Sequence, residues 1–135
     1  MGSRVAIFLH AGEYDRMHEA LSVAAAAASS GRGVDVYFTW FALERLLAGA
    51  LDAPGPDDFG DRDDLRESFA EKGFPSLRQL LDSARATGNV RLVACTGSLA
   101  IIGSNLERAR EKVDELVGWG TILDRTLGVT DRFFY

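Results

Sequence analysis

Residues 90–98 read VRLVACTGS. The apolar, valine-containing part of this run has the composition of a buried strand. It passes without a break into Cys95-Thr96-Gly97-Ser98, after which residues 99–102 (LAII) form a short apolar helix stopped by Gly103. Reading outward from this strand–cysteine–helix junction, the same alternation recurs. Residues 5–10 (VAIFLH) form an earlier strand that ends at Gly12, and residues 34–39 (VDVYFT) form another. Between them Met17, Leu21, Ala24 and Ala28 repeat at helical spacing through an alanine run, until Gly31 and Gly33 end the helix. Residues 41–51 (FALERLLAGAL) place Leu43, Leu46, Leu47 and Ala50 on one helical face. Residues 65–72 suggest a short helix, and Pro75-Ser76 opens a further one with Gln79 in capping-box position. Leu77, Leu80, Leu81 and Ala84 line its face.

Downstream of Gly103, Ser104 and Glu107 suggest a second capping box. It would open a helix carrying Leu106, Ala109, Val113, Leu116 and Val117 inward. Residues 119–127 read as a last helix and residues 132–135 (RFFY) as a terminal strand. Strands alternating with helices imply an α/β, three-layer α/β/α fold with a mostly parallel sheet and right-handed crossovers. The chain of 135 residues falls within the usual size of one domain, about 100–200 residues.

The formal net charge is −5. Residues 52–64 (DAPGPDDFGDRDD) hold six Asp and one Arg, so this segment carries the whole excess and the remainder is neutral. Its Pro54, Gly55, Pro56 and Gly60 break both strand and helix periods. It reads as a long loop, of the sort that is functional or mobile, and it would suit docking of a basic partner. Nothing in the sequence suggests the basic face needed to neutralise phosphates, which argues against nucleic acid. No apolar run reaches the roughly 18 residues of a membrane span, and residues 5–9 are too short for a signal-peptide core. A single cysteine without such a signal points to a reducing cytoplasm.

Several standard chemistries find no support. Gly31-Arg32-Gly33 precedes a strand, whereas a dinucleotide loop follows one. Neither Lys72 nor Lys112 stands in a phosphate-loop context, and Ser98 lacks the flanking glycines of a nucleophile elbow. His10, His18 and Cys95 lack metal-ligand spacing, and the Asp-rich loop does not follow the calcium-loop pattern, so no metal or cofactor is implied. Cys95 is the candidate nucleophile. It lies at the carboxyl end of a strand and at a helix start, where ligands gather in open α/β sheets and N–H groups favour an anion. The alternative reading is a small buried hydrophobe. Gly97 permits close approach to the backbone, and Thr96 or Ser98 could hydrogen-bond a sulfur anion. With the strands ordered 2-1-3-4, His10 would face Cys95 across the switch point as a proton acceptor or stabilising imidazolium. Gly12 ends the same strand. Tyr14 and His18 can share a helical face, and Trp40 with Phe41 can wall the cleft. Trp119 and residues 133–135 suit a subunit interface.

Three stretches resemble the DsrE/DsrF-like sulfur-relay family, and within it the DsrE-like subgroup with a single-cysteine site. GVDVYFTWFALERLL follows the small-residue helix; SLRQLLDSARATGNVRLVACTGSLAIIG carries a helix, a strand and a Cys-x-x-S-x-x-x-x-G signature; VDELVGWGTILDRTLGVTDRFFY is similar to the closing helix and strand. The likeness spans nearly the whole chain, with the acidic loop as its variable part. It implies a flavodoxin-like fold assembled as homotrimers or multiples of them. It also implies a cysteine, here Cys95, that carries sulfur as a persulfide between sulfur-donor and sulfur-acceptor proteins, with Gly97, Ser98 and Gly103 as matching loop positions. The alternative left open by the residues is a non-catalytic oligomeric module that binds a small ligand.

Overall fold

Val5, Ile7 and Leu9 of β1 (Val5–Leu9) point to one side of the sheet, and Ala6 and Phe8 to the other. In β2 (Val34–Phe38) every residue is buried. Such two-sided burial is what a parallel strand between covered faces requires. In a computed structural model that describes residues 3–135, these strands lie in a five-stranded, wholly parallel sheet ordered β4-β3-β2-β1-β5. The other strands are β3 (Val90–Cys95), β4 (Glu115–Val117) and β5 (Asp131–Phe134). The helices are α1 (Tyr14–Ser29), α2 (Trp40–Ala48), α3 (Asp63–Glu71), α4 (Leu77–Ala86), α5 (Thr96–Ile102), α6 (Leu106–Lys112) and α7 (Trp119–Arg125).

The three-layer α/β/α, flavodoxin-like architecture is therefore present, but the strand order differs from 2-1-3-4. From β1 to β4 the chain always steps in one direction, so right-handed crossovers put every connecting helix on one face. Met17, Leu21, Leu43, Leu77, Leu99 and Ala109 accordingly join the first face of the sheet in one core. Only the β4–β5 connection runs back, and its helix α7 lands on the opposite face. There Ile122 closes a small second core with Ala6, Tyr37 and Val93.

A seven-residue helix cannot cover that face. Towards the amino ends of the strands it carries a row of ion pairs instead. Asp35, buried on β2, accepts from Arg4 (2.7 Å) and Arg91 (3.0 Å); Arg91 also meets Glu115 (2.9 Å), which Arg125 holds in turn. Burial opposes the charged form of Glu115, but Arg125 and Arg91 outweigh it and hold the carboxyl below its ordinary range. Towards the carboxyl ends the same face is aromatic: Phe8 stacks on Tyr37, Phe134 and Trp119.

Apart from shifts of one to three residues at other element ends, the sequence reading is corrected at both ends of α6. The helix expected to include Leu116 and Val117 stops at Lys112; Val113 is extended (φ −126°, ψ 158°) and residues 115–117 pair with β3. Asp114 causes the change by gripping the neighbouring strand: Leu92 N–H donates to its carboxylate (2.8 Å), and its own N–H donates to the Leu92 carbonyl (2.9 Å). The cap of α6 is Asn105, whose side chain accepts from Arg108 N–H (2.7 Å), and not Ser104. The capping box at Ser76 and Gln79 is present with both of its hydrogen bonds.

The acidic loop is anchored rather than a wholly solvated strap. Asp58 is buried at the amino end of α1, where its carboxylate accepts from the N–H groups of Tyr14 (2.9 Å) and Gly55 (2.6 Å) and pairs with Arg45 at 3.1 Å. It thus supplies the cap that Glu13 does not make. Burial raises its pKa, but the two N–H donors and Arg45 prevail, and the carboxyl lies below its ordinary value.

Two outcomes follow for stability. Asp35→Ala should cost about 1–2 kcal/mol in chemical denaturation, because it removes the carboxylate shared by Arg4 and Arg91, leaving Arg4 unpaired and Arg91 with Glu115 alone; Arg4→Ala, at an exposed partner, should cost under about 1 kcal/mol. Asp58→Asn should cost about 2–3 kcal/mol at pH 7. Since the folded pKa of Asp58 is depressed, its contribution is full above the unfolded value of about 3.9 and disappears as pH falls through the folded one. The melting-temperature gap between wild type and Asp58→Asn should therefore narrow as pH falls below about 4.

Candidate functional site

Cys95 ends β3, is 3% exposed, and forms the N-cap position of α5 without a side-chain capping hydrogen bond. Alternation along β3 puts its side chain on the face of Val93, the α7 side of the sheet. The next two residues, Thr96 and Gly97, are exposed, and Ser98 is buried. A Cβ added at Gly97 would lie 3.8 Å from the Cys95 sulfur, so this exposed glycine is the thin cover over an otherwise buried thiol. The first N–H groups of α5 have no intrahelical partners and open beside it.

The strand order decides what surrounds this thiol. Leu9 pairs with Phe38 and Phe38 with Ala94, so His10, Thr39 and Cys95 stand in one row, each one residue further on. His10 is thus two strand spacings from Cys95, about 9.6 Å, with Thr39 between them. The expected facing of His10 and Cys95 is corrected: it required β1 and β3 to be neighbours. His10 is exposed and rests against Trp40 and Phe41, with ring centroids at 6.2 and 6.1 Å.

On its other flank Cys95 pairs with Val117 of β4. The helices after β3 cover one face and the helix after β4 covers the other, so the topological switch lies between these two strands. Ligands of open α/β sheets bind in such a crevice. Gly118 and Trp119 open α7 there, and a Cβ at Gly118 would lie 3.7 Å from the Thr96 hydroxyl. Sequence reading missed Thr39 and Gly118 as neighbours of Cys95. The signal for them is positional: each directly follows a strand whose place in the sheet has to be known first.

The remaining candidates lie elsewhere. Tyr14 is completely buried; its hydroxyl accepts from Leu77 N–H (3.2 Å) and joins α1 to α4. Desolvation raises its pKa. Gly12 packs on α2 so closely that a Cβ would meet the Phe41 carbonyl oxygen at 2.8 Å. Trp40 starts α2 at φ 45°, a strained conformation for a bulky residue. Gly12, Phe41, Arg45 and Asp58 line an open cleft of about 620 Å³ that does not include Cys95. Among the described residues, no group of three or more His, Cys, Asp or Glu is placed to hold a metal ion, and no helix is long and apolar enough to cross a membrane.

Access to the sulfur is testable at Gly97. Its φ is not positive, so Gly97→Ala should leave the melting temperature unchanged or slightly raised. The added methyl group should slow iodoacetamide alkylation of Cys95 severalfold.

No protein-family model and no curated protein matches this chain. Among solved structures it is similar to the protein of unknown function MTH1491 from Methanobacterium thermoautotrophicum. The TM-score is 0.59 over 99% of this chain and 100% of that one, at 16% sequence identity. At that identity the likeness establishes the α/β fold and leaves the chemistry to be argued from the residues.

Proposed function

We propose that this protein is a sulfur carrier that holds sulfur as a persulfide on Cys95 and passes it to the thiol of a partner. The observation carrying this reading is the position of the sole cysteine. It ends β3 at the switch crevice, beside the open N–H groups of α5 and an exposed glycine whose missing side chain would otherwise touch its sulfur. The Cys95 thiolate attacks the outer sulfur of a donor persulfide. The new sulfur–sulfur bond forms as the donor's breaks, and the donor leaves as a thiol after taking up a proton. An acceptor thiolate then attacks the outer sulfur and releases Cys95 as thiolate. No net oxidation occurs. With no second cysteine in the chain, transfer must go to another molecule. The chemistry suits a reducing, cytoplasmic setting, where a lone thiol stays reduced. The same reading includes self-assembly, as a trimer or a multiple of it: Trp119, Leu123, Leu127 and Phe134 stand exposed around α7, on the thinly covered face of the sheet.

A second reading is a non-catalytic oligomeric module that binds a small ligand. It is favoured by the burial of Cys95 and by the separate cleft at Arg45. Incubation with glutathione persulfide followed by intact-mass measurement separates the two. The carrier gains the mass of one sulfur atom, reversibly with dithiothreitol, and Cys95→Ser gains none. An unmodified wild-type protein would overturn the carrier reading and leave the binding module.

A further inference from the structure

The segment between α2 and α4 folds back against the amino half of α1 and leaves a groove there. Tyr14 and His18 stack one turn apart on α1, and Phe69 of α3 meets both rings edge-on, at 5.5 and 5.4 Å. Phe59 meets Tyr14 edge-on, and Phe74 stacks on Phe69 at 5.9 Å. α3 places Leu65 and Phe69 on one face, four residues apart. Yet no residue of α3 is fully buried, and Leu65 and Phe74 are 44% and 53% exposed. The aromatic surface is therefore built but only partly covered.

Two adjoining hollows of about 460 Å³ each share Asp15, Phe59, Phe69 and Phe74, which makes them one continuous groove. Its charged lining consists of Glu13, Asp15, Glu19 and Asp57, and among the described residues no Lys or Arg lines either hollow; Glu13 is paired outside it with Arg16 at 3.6 Å, which leaves Asp15, Glu19 and Asp57 to face a guest. An aromatic floor beneath one-signed walls has a definite complement. An apolar side chain gains by leaving water against the rings. Cationic heads beside it gain from the carboxylates, while the rings of Tyr14 and Phe59 already carry Arg45 and Arg66 and offer the guest their apolar surface. In the acidic segment Asp52, Asp58 and Asp64 are paired with Arg78, Arg45 and Arg62, so it is Asp61 and Asp63 that extend the field beyond the groove and steer approach.

We propose that this groove docks a partner-protein segment that presents an apolar side chain flanked by Lys or Arg. Nucleic acid and anionic membrane surfaces are repelled by the same carboxylates. A second copy of this chain would bring its own acidic segment to the contact, and is the competing occupant. The inference rests on the aromatic and charged lining and does not depend on whether Cys95 carries sulfur.

The probe is an amidated peptide of repeated Lys-Leu-Lys-Lys-Leu, titrated into the isotope-labelled full chain while backbone amide signals are followed. Shifts should concentrate in the first turns of α1, around residues 57–60 and along α3. Affinity should fall at least fivefold in the double variant Asp15→Asn/Glu19→Gln and in Phe74→Ser. All three positions are exposed, so the variants keep the fold. It should be unchanged in Cys95→Ser, which keeps failure here distinct from failure of the sulfur reading. Three results would overturn the proposal. One is equal binding of a control peptide with Ser for Leu, which would mean adsorption by charge alone. Another is shifts spread evenly over the surface. The third is concentration-dependent broadening of the groove signals without peptide, which would assign the groove to a second copy.

Discussion

Across the thinly covered face of the sheet, Arg4, Asp35, Arg91 and Glu115 stand side by side in alternating sign, and they favour the observed order of the strands. These residues come from just before β1, from β2, from β3 and from β4, so the charges alternate in chain order as well. Only when neighbours in sequence are neighbours in the sheet does each cation meet an anion. An order with β1 between β2 and β3 would put Arg4 and Arg91 on adjacent strands, and cross-strand like charges destabilise. Ion pairs of this kind add little net stability against an apolar alternative. Their value lies in discrimination between registers and orders that hydrophobic burial alone cannot tell apart.

From that order the rest follows. Strands that step in one direction send their helices to one side, so one face acquires a deep core and the other a single short helix. The one reversal, after β4, places the switch crevice between β3 and β4, and Cys95 falls at its rim. The same order separates His10 from the thiol by a full strand and gives it aromatic neighbours from the α2 start. Which groups attend the cysteine is thus decided by the order of the strands, which the charges at their far ends favour.

Much of the fold was readable in the chain because strands 5–9, 34–38 and 90–95 are apolar runs with clear stops, and α1 and α4 have unmistakable helical faces. The segment 113–117 was not readable. Val113 and Val117 are four apart, a spacing that suits a helical face and also one side of a strand; the decision falls to Asp114 and its bonds to Leu92, a contact 22 residues distant in sequence. Ser104 and Asn105 are both competent caps, and periodicity does not choose between adjacent ones. Cys95 could be placed correctly, since its strand and helix are local. Its surroundings could not, because Thr39 and Val117 reach it only through strand order. The information was present as the alternating signs of four residues, a pattern that single-strand periodicity does not read.

The attachment of the acidic segment has a consequence for how such a molecule can diversify. Asp58 fastens it to the α1 end, and Arg66 ties it to itself through the carbonyls of Gly55 and Asp58. Neither bond involves the sheet's ion pairs or the cysteine junction. The segment is therefore a cassette: its outward residues, and even its length, can be rewritten by mutation while one carboxylate and one arginine preserve the seat. Variation in this part of the chain and constancy at the thiol can proceed on separate evolutionary clocks.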